Sequence, residues 1–385
     1  MTLKAVPIYA DHAATTPLKP EALEAMLPWL KDGFGNPSSL HSFGREARKA
    51  VEEARATVAG CIGAKPQEIC FTSGGTEANN WAIKGTTGGL LVSSYEHHSI
   101  LHATESEQRR GRSTGFIHPT GRGIVGVRQL RTALTKAVRA EVDDSGIVSV
   151  MAAQNELGAI NPIRALCSEA HGRGMLFHTD AVQAVGKTPV DVREWGVDLL
   201  SASAHKFGGP KGVGFLFSKD GNAPERFMDG GAQERNFRAG TENVAGIVGM
   251  AEALRMSCDR MAEESVRLHR LAAMLSAGLC GMFPDAGILG PEKPKDRIPG
   301  FVSVSIPGHP AEGMLHVLDL KGIAVSAGAA CNSKETKVSH VLQAIGLSDE
   351  LASCTLRISL GWENSERDVE RILDAFRLVR KTSGS

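Results

Sequence analysis

The sequence predicts an α/β protein: a large domain with a mostly parallel sheet flanked by helices, followed by a smaller α+β domain. Three observations carry this. Short apolar runs alternate with helical patterns through the first half, a proline-free helical stretch runs from Glu242 to about Leu279, and a second group of strand-like runs follows it. In order, strands are expected near Ile69 to Phe71, Leu90 to Ser93, Ile147 to Ala152, Met175 to His178, Asp198 to Ser201 and Val213 to Phe217. Each is short and apolar, the pattern of a strand covered on both faces. The segment after Phe71 opens a helix to about Lys84, and the long stretch from Glu242 links the two domains. Beyond it, Phe301 to Ile306, Ile323 to Ser326 and Leu356 to Leu360 read as strands, and Glu366 to Arg380 as a closing amphipathic helix.

Composition bounds the function. Of 385 residues, 42% are hydrophobic, enough for one large and one smaller core. Lys plus Arg and Asp plus Glu both number 43, which gives no electrostatic case for nucleic acid. No apolar stretch reaches membrane-spanning length, and Met1 to Ala10 lacks a signal-like core, so a cytoplasmic location is expected. The seven cysteines, at 61, 70, 167, 258, 280, 331 and 354, are odd in number and never spaced C-x-x-C, which argues against a disulfide framework or a zinc site. Cys70, Cys167 and Cys258 lie in apolar or helical surroundings and read as buried packing residues.

Four segments carry chemistry. In Ser201-Ala202-Ser203-Ala204-His205-Lys206, a buried strand delivers Ser203 and His205 to one face at period two, and Lys206 emerges at its end. A lysine in a partly dry site is more available as a neutral amine and suits a Schiff base; alone, the motif equally suits a surface lysine before a Gly-rich hairpin. Asp180 and Gln183 offer a carboxylate at a strand end and an amide three positions on, a pair that would serve a pyridine nitrogen and a ring hydroxyl; alone, Asp180 also reads as a helix N-cap. Thr72-Ser73-Gly74-Gly75-Thr76-Glu77-Ala78-Asn79-Asn80 reads as an anion cradle, in which glycines let the backbone approach a phosphate and Thr76 adds a hydroxyl. The segment Gly230 to Asn243 is a second glycine-rich candidate and equally a flexible surface loop. His97, His98 and His102 lack a nearby carboxylate or cysteine to complete a metal site. Ser326 to Lys337 has few large apolar groups to pin it and reads as a mobile loop; from an anchor near Ala327 its Cys331 would sweep on the order of 10 to 15 Å.

Together these residues resemble the pyridoxal-phosphate enzymes of fold type I, and within them the NifS/IscS cysteine desulfurases of the class V aminotransferase family. The resemblance runs from Ile8-Tyr9-Ala10-Asp11-His12-Ala13-Ala14-Thr15-Thr16-Pro17 through Phe34-Gly35-Asn36-Pro37, Gly74-Gly75-Thr76-Glu77, Glu96-His97-His98, Asn155-Glu156-Leu157-Gly158 and the Asp180 and Lys206 segments. It ends with Ser326-Ala327-Gly328-Ala329-Ala330-Cys331 and Leu356-Arg357-Ile358-Ser359.

The resemblance implies a seven-stranded sheet in a large cofactor domain of residues 16–260. A smaller domain of residues 1–15 and 261–385 would carry the cysteine loop at about 326–338. It implies that Lys206 holds pyridoxal 5′-phosphate and shuttles protons, that His97 lies over the ring and assists acid–base steps, that Asp180 pairs with the ring nitrogen and Gln183 with the ring hydroxyl. Gly75, Thr76, Ser203 and His205 would bind the phosphate, and Thr241 would reach that of the neighbouring subunit in a homodimer. Asn155 and Arg357 would orient the carboxylate of L-cysteine, the arginine as a two-pronged fork. Cys331 would take the substrate sulfur as a persulfide, leaving L-alanine, and pass it to an iron–sulfur scaffold or another acceptor; it would also be a metal ligand to a transient iron–sulfur cluster. Attack requires the thiolate; the enzyme's lysines or the substrate complex would each serve as base.

The chain departs from the pattern at Asp11-His12, where relatives carry Asp-Asn or Asp-Tyr, at Ala232-Gln233, and after Cys331, where a usual proline is missing. Another enzyme of this fold, an aminotransferase or a selenocysteine or cystine lyase, would keep its activity in Cys331→Ala. A non-catalytic cofactor-binding protein would lack the absorbance of the lysine-bound cofactor.

Overall fold

The structure is a computed structural model that describes residues 6–139, 146–220, 222–327 and 338–382. Its larger sheet has seven strands, in spatial order Ile69–Thr72, Gly214–Ser218, Leu199–Ser203, Leu176–Asp180, Ile147–Ser149, Leu90–Ser93 and Thr114–Ile117. All neighbours run parallel except Gly214–Ser218, which is antiparallel to both strands beside it. The central strands are buried along their length because helices cover both faces, which is why they read as unbroken apolar runs. The edge strand Thr114–Ile117 is half exposed and was not expected from the sequence: it has one buried residue, and Gly115 weakens its signal.

Two expectations need correction. The strand placed at Ile323 to Ser326 is two short strands interrupted at Val325: Ile323–Ala324 pairs in parallel with Ile8–Tyr9, and Ser326–Ala327 pairs with Thr355–Ser359 in a separate four-stranded sheet. The run that was to carry both Ser203 and His205 ends at Ser203; Ala204–Lys206 is a single 3₁₀ turn, so His205 leaves the period-two face. The cause is the tight return to the antiparallel strand, in which Ser203 is already paired with Gly214.

The helix Val244–Met282 has 39 residues, a length of about 58 Å. Its first turns, with Ile247, Met250 and Leu254, belong to the core beneath the large sheet. Its last turns, with Leu271, Leu275 and Leu279, belong to a second core with Val302, Val304, Leu356, Ile358 and Phe376. The N-terminal segment crosses between them: Ile8 and Ala10 sit in the second core and Ala13 in the first. No described helix is long and apolar enough to cross a membrane.

Candidate active site

The carboxyl ends of Leu176–Asp180 and Leu199–Ser203 open into a cavity of about 640 Å³, the end of such sheets where ligands bind. Most of the expected site residues line it: Gly75, Thr76, His97, Asn155, Asp180, Gln183, Ser203, His205, Lys206 and Arg357. Thr241 does not; it is exposed and lines a separate cavity of about 160 Å³ beside Ser73 and Arg238. Cys331, and with it any cluster ligation, lies outside the described residues.

Lys206 is fixed by the N-terminal segment. Its Nζ donates to the carbonyls of Ala13 and Ala14, at 2.7 Å each, and no carboxylate pairs with it among the described residues. Burial, with the positive charge of Arg357, lowers its pKa to about 8, against the pull of Asp180 and Asp11. Its amine is therefore far closer to the neutral, nucleophilic form at physiological pH than a surface lysine. His205, pushed by burial to about 4, is neutral, and its Nδ1 lies 3.1 Å from Thr15 Oγ1.

Asp180 is buried at its strand end. Oδ1 accepts from the Val182 amide at 2.9 Å, the capping contact its position suggested, and Oδ2 accepts from Asn79 Nδ2 at 2.7 Å. Asn79 also donates to Ser99 Oγ at 2.9 Å, and Ser99 Oγ lies 2.8 Å from His97 Nδ1, which accepts the Ser99 amide as well. With Nδ1 accepting, neutral His97 carries its proton on Nε2. Burial lowers the pKa of His97. Asn79 and Ser99, which sequence reasoning gave no role, thus join Asp180 to His97. Gln183 donates to the Ala13 carbonyl at 2.8 Å and accepts from Lys187 at 2.7 Å.

The cradle is built as its glycines imply. Gly74 has φ +148°, and a Cβ on Gly75 would meet Val182 Cγ2 at 2.7 Å. The helix Gly75–Lys84 starts there, so its first amides and Thr76 face the cavity beside Ser203. Glu77 ties the cradle to the second glycine-rich segment through Arg238, at 2.8 and 3.0 Å. That segment is pinned rather than loose: Glu234 makes a two-pronged pair with Arg55, at 2.7 and 2.8 Å, and accepts from the Phe71 amide at 2.9 Å. Glu234, Arg235 and Asn236 all take positive φ, from 45° to 70°.

Arg357 stands opposite Ser326 in the smaller sheet. Nη1 donates to the Asn155 carbonyl at 2.9 Å and Nη2 to Asp11 Oδ1 at 2.8 Å, while its buried Nε has no partner among the described residues. Beneath His97, the buried carboxyl of Glu96 accepts from the Met151 amide at 2.7 Å and from Ser93 Oγ; burial raises its pKa to about 8. Cys258, expected to be buried, is only partly so, while Cys70 and Cys167 are buried. His98 and His102 stack at 4.9 Å.

A phosphate cradle that admits no side chain, a buried carboxylate and a depressed lysine facing one cavity fit a phosphorylated pyridine aldehyde. The family model for class-V aminotransferases matches residues 8–372. The chain belongs to this family. As a class-V aminotransferase it uses pyridoxal 5′-phosphate. It is 42% identical to the cysteine desulfurase IscS of Clostridium botulinum over 97% of this chain and 94% of that one. Among solved class-V relatives, a NifS-like protein from Rickettsia africae superimposes with a TM-score of 0.86 at 31% identity, covering 97% of this chain and 99% of its own. SspA, solved in complex with cysteine, does so at 0.78 and 30%, covering 92% and 98%.

Proposed function

We propose that the protein is a cysteine desulfurase that converts L-cysteine and the Cys331 thiol into L-alanine and a Cys331 persulfide. The observation that carries this is the meeting of Lys206, Asp180 and Arg357 in one cavity, in a chain that aligns along nearly its whole length with cysteine desulfurases. Pyridoxal 5′-phosphate supplies an aldehyde carbon and a ring that accepts an electron pair.

The chain's own groups do the rest. Lys206 would hold the cofactor through its amine and would take the proton from the substrate α-carbon; an amine near pKa 8 is suited to accept it and return it. Asp180, oriented by Asn79 and the Val182 amide, holds the ring nitrogen's proton. Gln183 would hold the ring hydroxyl, and His97, with its proton on Nε2, would help hold the ring and assist proton transfer. Gly75, Thr76, Ser203 and His205 hold the phosphate, with Thr241 serving that of a partner subunit. Arg357 and Asn155 take the substrate carboxylate. The Cys331 thiolate attacks the substrate sulfur, the carbon–sulfur bond breaks toward carbon, and protonation completes alanine.

In this reading residues 16–260 form the cofactor domain, and residues 1–15 with 261–385 the smaller one. The enzyme is a cytoplasmic homodimer that passes its persulfide sulfur to an acceptor, such as a scaffold for iron–sulfur clusters, where Cys331 serves transiently as a metal ligand. The exposed Thr241 supports the dimer, and Ser326, opposite Arg357, supports delivery of the cysteine loop to the site.

The test incubates pure holoenzyme with L-cysteine and dithiothreitol and measures alanine and sulfide. Wild type should form them one to one. Lys206→Ala should fall by roughly 10²- to 10⁴-fold, and Cys331→Ala should lose sulfide release while cysteine still perturbs the cofactor absorbance. Full sulfide output from Cys331→Ala would refute the assigned nucleophile.

A further inference from the structure

A second cavity, of about 240 Å³, lies behind Lys206, where the 39-residue helix passes between the two cores. Lys206 and Ala13 line both spaces. The second cavity is walled largely by Phe207, Met256, Leu268, Ile298, Phe301 and Trp362. Two polar side chains in that wall stand out: His12, which lacks the partners an apolar setting demands, and Lys187, which has a neutral partner only. His12 is 3% exposed, and neither of its ring nitrogens has a hydrogen-bond partner among the described residues. Its ring lies so close to residue 361 that a Cβ there would come within 2.4 Å of Nδ1, so only glycine leaves room for it. Lys187 has the amide oxygen of Gln183 at 2.7 Å, and no carboxylate pairs with it among the described residues.

Each unsatisfied buried polar group costs about 1 to 3 kcal/mol. His12 and Lys187 are close enough for the lysine charge to depress the imidazole, and burial makes both reluctant cations: His12 falls to about 4 and Lys187 to about 7. A neutral imidazole still donates one N–H, and Lys187 regains its proton beside an anion. Of the other charged groups on the cavity, Lys19 and Arg260 are positive and Glu21 and Glu264 negative, so these cancel; with Lys206 committed to the cofactor, Lys187 is left to favour an acid. Met256, Phe301 and Trp362 offer an aromatic ring flat apolar walls.

We propose that this cavity binds a small single-ring aromatic carboxylate, its ring among Met256, Phe301 and Trp362 and its carboxylate shared by His12 and Lys187. Such a ligand would rest against Ala13, whose carbonyl receives both Lys206 and Gln183 from the cofactor side. The site requires neither Cys331 nor sulfur chemistry, so it stands or falls apart from the desulfurase reading.

Isothermal titration calorimetry on the holoenzyme tests it, with phenylacetate as probe, benzyl alcohol as its uncharged counterpart and acetate as its ring-free one. Phenylacetate should bind once per chain, at least tenfold more tightly than either control. Lys187→Met should weaken it at least tenfold. Met261→Trp, which enlarges a side chain of this wall and lies outside the cofactor cavity, should abolish it while leaving sulfide production from cysteine intact. Absence of saturable phenylacetate binding, equal affinity for benzyl alcohol, or binding that survives both substitutions would overturn the proposal.

Discussion

Glu96 is a carboxylic acid, not a carboxylate, at neutral pH: burial raises it to about 8, and the one charge close to it, Asp180, pushes the same way. Unfolded, it would titrate near 4.3. Between those values the folded chain keeps a proton that the unfolded chain has lost. Its contribution to stability is therefore complete below about pH 4.3 and disappears as pH rises through about 8. Glu96→Gln, which keeps the shape and removes the titration, should flatten the fall in Tm between pH 5 and pH 8, and the difference between the two proteins should reach a few kcal/mol at the upper end. Parallel Tm curves for wild type and variant would contradict it. Glu96 was visible in the sequence only as part of a matched tripeptide. Lys206 and Asp180 were legible as candidates because each chemistry demands a particular side chain at or just beyond a strand end, whereas Arg357, in mid-strand, was legible only through resemblance. Asn79, Ser99 and Asp11 were not, since their roles arise from contacts across 20, 101 and 346 residues of chain, which no local spacing records.

The turn at Glu234–Asn236 shows how an element can be paid for by one ion pair. Three successive non-glycine residues with positive φ are strained, at a cost of about 1 to 3 kcal/mol each. What holds them is the buried, two-pronged contact of Glu234 with Arg55, whose guanidinium also lies 4.5 Å over the Phe71 ring. Glu234→Ala should lower stability by about 1 to 3 kcal/mol, because it takes the buried carboxylate from Arg55 and leaves it only the half-exposed Glu52. Asn236→Gly should raise it modestly. Chemical denaturation measures both, and a loss below 1 kcal/mol for Glu234→Ala would show that the pair does not sustain the turn. From sequence alone Gly230 to Asn243 suited a loose loop equally well, because its restraint comes from Arg55 and Glu77 far upstream. Central strands were readable for the opposite reason: burial on both faces is written into their own residues. The edge strand Thr114–Ile117 and the break at Val325 carry no such signature.

At the scale of the whole molecule, one helix belongs to both cores. Its outer middle is solvent-facing, with Val266 73% exposed, while its two ends are anchored in separate apolar clusters. Continuity of that helix should make the two cores unfold together. Val266→Pro removes a backbone hydrogen bond at a cost of about 3 kcal/mol without touching either cluster. Scanning calorimetry should then resolve two transitions where wild type gives one; a single peak merely shifted downward would place the coupling elsewhere. The alternation of strands and helices made the large sheet legible from sequence, whereas the crossing of Ile8 to Ala13 from one core to the other was visible only through resemblance.

Arg357 is already bonded to Asp11, so in the proposed role an incoming amino acid would exchange one carboxylate for another rather than meet a vacant cation. The swap returns little net energy, which disfavours tight retention of anything that offers only an α-carboxylate. Alanine, once its amine is free of the cofactor, would be such a molecule, and Asp11 would reclaim the guanidinium as it leaves, so that turnover would end with the site clearing itself.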